Sequence, residues 1–149
     1  MNWTCKSFDE LGPHELYAIL QLRNEVFVVE QNCAYQDVDD KDLKAYHLLM
    51  LSDDNKLVGY SRILPPGLSH KEPAIGRVVV DENFRGNASG KLLMQQSIHE
   101  TLKLFKDQSI VISAQVYLLK FYTDLGFKPE GEQYPEDEIP HIKMRYNLS

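Results

Sequence analysis

Cysteine is scarce in this chain: two residues in 149, Cys5 and Cys33, with no CxxC pair and no metal-ligand spacing around either. That excludes a disulfide scaffold or a zinc ribbon and reads as free thiols in a reducing compartment. No apolar run approaches the ~20 residues a membrane helix requires. The opening "MNWTCKSFDEL" has neither the basic n-region nor the apolar h-region of a signal peptide. The expectation is a cytoplasmic protein with no membrane partner. Positive charge is also short, 16 Lys and Arg against 22 Asp and Glu for a formal net charge of −6. A protein built to hold a nucleic-acid backbone is thereby excluded, although a local basic site for one small anion is not. Repeats, low-complexity tracts and linkers are missing, and "PPGLSHKEP" (65–73) is a loop between strands. What remains is an ordinary globular composition, 43% hydrophobic and 26% charged. It suits one domain over 1–149, large enough to bury a core of its own.

Hydrophobic periodicity orders the elements. "WTCKSF" alternates as a first strand, and "GPHELYAILQLRNEVFVVEQ" follows with Pro13 at a helix start. Leu16, Ile19, Leu20, Arg23 and Phe27 recur at helical spacing, which predicts an amphipathic helix of about four turns. The acidic "DVDDKDLKA" is a loop or a short second helix. "YHLLML", the turn "SDDNK" and "LVGYSRIL" make a hairpin pattern. "AIGRVVV" is a strand buried on both faces, and "GKLLMQQSIHETLKLF" a helix with Met94, Ile98, Leu102 and Phe105 on one stripe. "SIVISA" is a strand, "YLLKFYTDLGF" a helix ending at Gly126, and "IPHIKMRY" a closing strand. This order is an α+β plan on one mixed sheet, parallel where helices follow the fourth and fifth strands.

Between the fourth strand and its helix lies "IGRVVVDENFRGNASGKLLM" (75–94). A strand, a glycine-bearing turn and a helix N-terminus can make an anion site, since the first helical turn offers free N–H groups at the positive end of the dipole. Gly86 and Gly90 admit close backbone approach or positive φ, and Arg85 and Lys91 add charge. A P-loop is excluded: three residues separate the glycines, and Leu92 follows the lysine where the magnesium-binding Ser or Thr belongs. The dinucleotide pattern fails as well, with Ala88 at its second glycine and the wrong spacing. From the residues alone, the turn is either an anion site or a surface loop carrying an arginine.

The six residues Arg85-Gly86-Asn87-Ala88-Ser89-Gly90 resemble the pyrophosphate loop of the GNAT N-acetyltransferases, [Q/R]-x-x-G-x-[G/A]. "FYTDLGF" (121–127) resembles the second signature of that superfamily, and the strand order matches its plan over the whole chain. "LYAILQLRNEVFVVEQNCAYQDVDD" and "IPHIKM" are similar to the ElaA-like branch. Ala88, at the usual first glycine, departs from the motif and matters if that residue must take positive φ. The resemblance implies a GNAT-type sheet of six to seven strands flanked by about four helices, with the fourth and fifth strands splayed apart.

It also implies acetyl-coenzyme A as co-substrate and no metal. The pyrophosphate would rest on backbone N–H groups from Asn87, Ala88, Ser89, Gly90 and Lys91, with Arg85 shaping the turn or reaching phosphate. The pantetheine arm would run along the main chain of Val78 and Val80, and an N–H near Val78 or Val79 would polarise the thioester carbonyl. Gln115 falls where many relatives carry a cofactor-contacting asparagine. Tyr122 is the candidate acid for the departing thiolate, its other reading being an aromatic packing residue. Many relatives carry a glutamate on the fourth strand. Here Ile75 and Gly76 precede Arg77, so Glu30, His141 or a water chain is left as base.

Acidic residues cluster at Asp37, Asp39, Asp40 and Asp42 and again at Glu136, Asp137 and Glu138. They are solvated loops or, if they rim the acceptor mouth, a field that draws a cationic amine: a polyamine, a lysine side chain or a peptide N-terminus. The loops at 31–45 and 132–140 would form that pocket. An active N-acetyltransferase of a small, peptide or protein amine, an acetyl-CoA-binding sensor without catalysis, and an enzyme for a longer acyl-CoA all remain open. So does oligomeric state, a homodimer included.

Overall fold

The computed structural model describes residues 1–106 and 109–148. In chain order its elements are β1 (Asn2–Ser7), α1 (Pro13–Arg23), β2 (Tyr46–Leu51), β3 (Leu57–Leu64), β4 (Ala74–Val80), α2 (Ser89–Leu104), β5 (Ile110–Gln115), α3 (Leu119–Asp124), β6 (Phe127–Glu136) and β7 (Ile139–Tyr146). The strands form one sheet in the order β1-β2-β3-β4-β5-β7-β6. Every neighbouring pair is antiparallel except β4 and β5, which run parallel. Among the described residues those two register at one position, Ala74 opposite Val111. Beyond it they part, so the expected splay is present.

Helices cover both faces. On one, Ile19, Leu22 and Val26 pack on Leu49, Tyr60 and Val79. On the other, Leu93 of α2 meets Leu48, Met50, Val58 and Val80. Met94 and Ile98 join Ile75, Ile112, Met144 and Tyr122 there. Val79 and Val80 are buried on opposite faces, as an unbroken valine run requires.

Three elements differ from expectation. The first helix begins at Pro13, where a missing N–H costs nothing, and Glu15 reaches back to the Gly12 N–H at 2.8 Å. It does not stay α-helical: Asn24–Glu30 widen into π-helix, with Gln31 N–H bonded to the Val26 carbonyl at 3.1 Å. Of the predicted stripe Ile19 and Arg23 are buried, and Leu22 and Val26 complete the buried face in place of the half-buried Leu16, Leu20 and Phe27. The final helix is shorter than its pattern because Val116–Leu118 form a 3-10 turn and α3 begins only at Leu119; Gly126 at φ 107° closes it where expected, and Phe127 opens a strand. That strand, β6, has no counterpart in the sequence reading. It is an edge strand paired with β7, the kind of position at which prolines such as Pro129 and Pro135 are tolerated. Among the described residues there are three α-helices, the first with a π-helical extension, in keeping with the about four expected.

Candidate active site

The turn after β4 is held by its own polar groups. Asp81 accepts from the Asn83 N–H at 2.9 Å, Arg85 Nε donates to the Val80 carbonyl at 3.0 Å, and Ser89 Oγ donates to the Phe84 carbonyl at 2.8 Å. Gly86 takes φ 95°, a conformation that favours glycine. Ala88 takes φ 58° and stands at the N-cap of α2 with no side chain able to accept a hydrogen bond. The first bond of the helix runs from Leu92 N–H to the Ala88 carbonyl at 3.0 Å, so Ser89, Gly90 and Lys91 open it with no capping side chain. The condition that made Ala88 matter is therefore met. A left-handed alanine costs about 1–2 kcal/mol, partly offset by the ~0.4–1 kcal/mol a glycine adds to unfolded-chain entropy. Ala88→Gly is expected to raise stability by about 0.5 kcal/mol, read as a thermal midpoint higher by roughly 1–2 °C.

Arg85 and Glu30 meet. The Arg85 guanidinium donates to both Glu30 carboxylate oxygens at 2.7 and 2.9 Å, which joins the end of the π-helix to the glycine turn. These bonds hold the Glu30 carboxyl below the usual range, which makes it a weaker proton acceptor, and raise the guanidinium above its own. Both side chains are partly exposed, so the pair adds little stability. Three of the five Arg85 N–H donors are thereby engaged within the protein, by Glu30 and Val80.

Tyr122 lies on α3, on the α2 side of the sheet. Its ring sits edge-on to Phe121 and Phe127, and an added Cβ at Gly90 would meet the Phe121 ring at 3.8 Å, so α3 rests against the first turn of α2. Burial, with a smaller contribution from Tyr117, pushes its phenol up to about 12. Among the described residues its hydroxyl has no hydrogen-bond partner, and it is not one of the fully enclosed orphan polar atoms.

His141 on β7 registers opposite Gln115, the last residue of β5, and opposite Tyr134. Its Nδ1–H donates to the Ile139 carbonyl at 2.7 Å, and Nε2 stands 3.3 Å from Glu136 Oε2. Tyr134 stacks on the ring and bonds through its hydroxyl to Ser113. A cavity of about 610 Å³ lies between Gln31–Ala34 and Asp137, Glu138 and Ile139, bounded by the residue after Glu30 and the turn before His141. A smaller one of about 270 Å³ runs beside Leu22, Val26, Val29 and Glu30 to Asp81–Asn83. The loops expected to form an acceptor pocket do face one another across the larger cavity.

The first acidic cluster is not a solvated rim. Arg23, wholly buried, donates to Asp37 at 2.7 Å and to Asp42 at 2.8 Å. Arg62, also buried, donates to Asp39 at 2.7 and 3.0 Å and to Asp42 at 3.1 Å. Arg77 donates to Asp37 at 2.6 Å. Three carboxylates meet three guanidiniums, and the expected negative field from Asp37, Asp39 and Asp42 is cancelled. His47 closes the network: its Nε2–H donates to the Asp42 carbonyl at 3.0 Å, so Nδ1 accepts from the Tyr60 hydroxyl at 2.6 Å. Sequence reasoning missed this assembly. Its one signal was an arginine on an apolar helical stripe, Arg23, upstream of four aspartates.

Among the described residues no group of three or more His, Cys, Asp or Glu is arranged to hold a metal ion, and no helix is long and apolar enough to cross a membrane. Residues 13–148 match the family model described as the acetyltransferase (GNAT) domain. The chain is 42% identical over 149 residues to a UPF0039 protein of Schizosaccharomyces pombe, covering 99% of this chain and 98% of that one. It is 42% identical to protein ElaA of Escherichia coli over 146 residues, 97% of this chain and 95% of ElaA, and superposes on the ElaA crystal structure with a TM-score of 0.90 over 99% and 100% of the two chains. The crystal structure of an acyl-CoA N-acyltransferase from Pseudomonas aeruginosa is 44% identical, with a TM-score of 0.91 over 97% of each chain.

Proposed function

Because the chain belongs to the GNAT acetyltransferase family, with ElaA among its near relatives, we propose that it transfers the acetyl group of acetyl-CoA to a primary amine by direct attack in a ternary complex. The observation that carries this reading is the uncapped first turn of α2, set beside the gap where β4 leaves β5. A diphosphate supplies the acceptors that the amides from Asn87 to Lys91 lack, and the free edge of Val78–Val80 offers main-chain groups to an extended pantetheine. Gln115, at the end of β5, borders the same gap from the other side.

In the reaction the amine nitrogen bonds to the thioester carbon while the C–S bond breaks. A main-chain N–H at Val78 or Val79 holds the oxyanion. The amine's proton leaves to His141, to Glu30 or through water, and Tyr122 donates a hydrogen bond to the departing sulfur. Of the two side chains, His141 is favoured: Glu30 is bonded to Arg85 through both oxygens. With Asp37, Asp39 and Asp42 neutralised, preference for a cationic acceptor rests on Asp137 and Glu138 at the larger cavity.

Thiol release from acetyl-CoA with a panel of amines tests this. Turnover with at least one amine, and protection from melting by coenzyme A, is the expected result. Protection with no thiol release from any amine replaces the enzyme with a binding module, and longer acyl-CoA donors that outpace acetyl-CoA correct the donor.

A further inference from the structure

Strand β4 carries one residue too many. Tyr60 pairs with Val79 and Arg62 with Gly76, so Ser61 alone faces both Arg77 and Val78. The extra residue is a bulge, and Arg77 within it takes φ 50°. That position suits glycine, and for arginine it is strained. Registration with β5 occurs at Ala74, before the bulge, and is absent among the described residues after it. A bulge bends its strand, so this residue stands where β4 turns away from β5 and frees the edge of Val78–Val80.

The strained arginine is held from outside the sheet. Its Nε donates to Asp37 Oδ1 at 2.6 Å, and a terminal nitrogen donates to the Asp37 carbonyl at 3.1 Å and to Asp39 at 3.4 Å. Asp37 is itself gripped by buried Arg23 and by the Tyr35 hydroxyl at 3.0 Å, and the Tyr35 ring lies 6.0 Å from the Arg77 guanidinium carbon. The segment making these bonds follows directly on Gln31–Ala34, which lines the larger cavity.

We infer that Arg77 is a positioning residue for the acyl site: its ion pairs with Asp37 and Asp39 hold it in the left-handed conformation, and that conformation keeps open the gap between β4 and β5. The inference rests on the proposed acyltransfer for its consequence, though not for its geometry. Its function is delivered by the main chain. A residue that accepts positive φ unaided needs no ion pair, and one that does not loses the bulge.

Three single variants of the full chain separate this from a role for the guanidinium itself. All remove the charge, and all leave Asp37 paired with Arg23. Arg77→Ala has neither clamp nor tolerance of positive φ, Arg77→Gly tolerates it, and Arg77→Asn lies between. The population penalty for a left-handed alanine is roughly 5–30-fold. Arg77→Ala is therefore expected to lower kcat by about that factor and to weaken protection from melting by coenzyme A, with Arg77→Asn intermediate. Arg77→Gly is expected to recover kcat to within about threefold of wild type. In ligand-free protein, amide exchange at Val78–Val80 should follow the same order, faithful to wild type in Arg77→Gly and altered in Arg77→Ala. Equal loss in the glycine and alanine variants overturns the inference, as does an unimpaired alanine variant or failure of both to fold. An alanine variant that fails to fold beside a glycine variant that folds supports it. If wild-type protein releases no thiol with any amine, the acyltransfer reading fails and the exchange order still decides the role of Arg77.

Discussion

Replacing Tyr122 with phenylalanine is expected to lower kcat by about 10²-fold, the loss typical of removing one hydrogen-bond donor aimed at developing charge. Two properties of the site set this expectation. The phenol, pushed by burial to about 12, is fully protonated at neutral pH. It is then a weaker acid than a thiol near 8.5, so complete proton transfer to the departing sulfur runs uphill. In the proposed reaction its contribution is a hydrogen bond that strengthens as the C–S bond breaks. The hydroxyl has no partner among the described residues, and the ring's edge-on packing against Phe121 and Phe127 survives in phenylalanine. Acetyl-CoA KM should therefore move by less than about threefold, and stability by less than ~1 kcal/mol. Steady-state kinetics beside a melting curve checks all three, and an unchanged kcat removes Tyr122 from the reaction.

Asp42→Ala is expected to destabilise the fold by about 3 kcal/mol, because it takes from buried Arg23 and Arg62 the carboxylate they share and leaves each with a partner that Arg77 also uses. Asp42 takes part of the charge of both arginines, and Asp37 and Asp39 are already committed to Arg77 as well. A second reading comes from pH. Burial alone would raise the Asp42 carboxyl, but bonds and charge from Arg23 and Arg62 overcome it and hold the group below its ordinary value. Asp39, against Arg62 and Arg77, is depressed in the same way. Depressed carboxyls favour the folded state above the unfolded value of about 4 and lose that advantage as pH falls below it. Burial depresses His47 likewise, so the unfolded chain takes up a proton below about 6.5 before the folded one does. All three groups thus erode stability on acidification, His47 first and the aspartates last. Denaturant midpoints from pH 7 to pH 3 should show the loss, with a shallower fall for Asp42→Ala below pH 4.

The sequence disclosed what periodicity and turn chemistry encode. Pro13, the β2–β3 hairpin, the valine run of β4 and the glycine turn before α2 are local signals, and each lies where its pattern puts it. Strand β6 was hidden because an edge strand needs little apolar alternation: most of "FKPEGEQYPE" is exposed, and its register shifts between Glu130 and Tyr134. The π-helical turn of Asn24–Glu30 was hidden because its residues suit an α-helix equally well. The ionic assembly was out of reach for a different reason. Arg23, Asp37, Arg62 and Arg77 are brought together by tertiary structure alone, and only Arg23, on its apolar stripe, carried a local sign of burial. The same limit applied to Glu30, whose tie to Arg85 spans 55 residues.

The lone rung at Ala74 and Val111 has a mechanical corollary. Strands β1 to β4 form one plate and β5 to β7 another, with the chain's start on the first and its end on the second. Helix α2 is the splint across them, Leu93 seated on Met50 and Val80 of the first plate and Met94 and Ile98 clustered with Ile112 and Met144 of the second. Parting the two plates therefore breaks one rung and the seat of α2, whereas opening either plate within itself breaks a full antiparallel ladder.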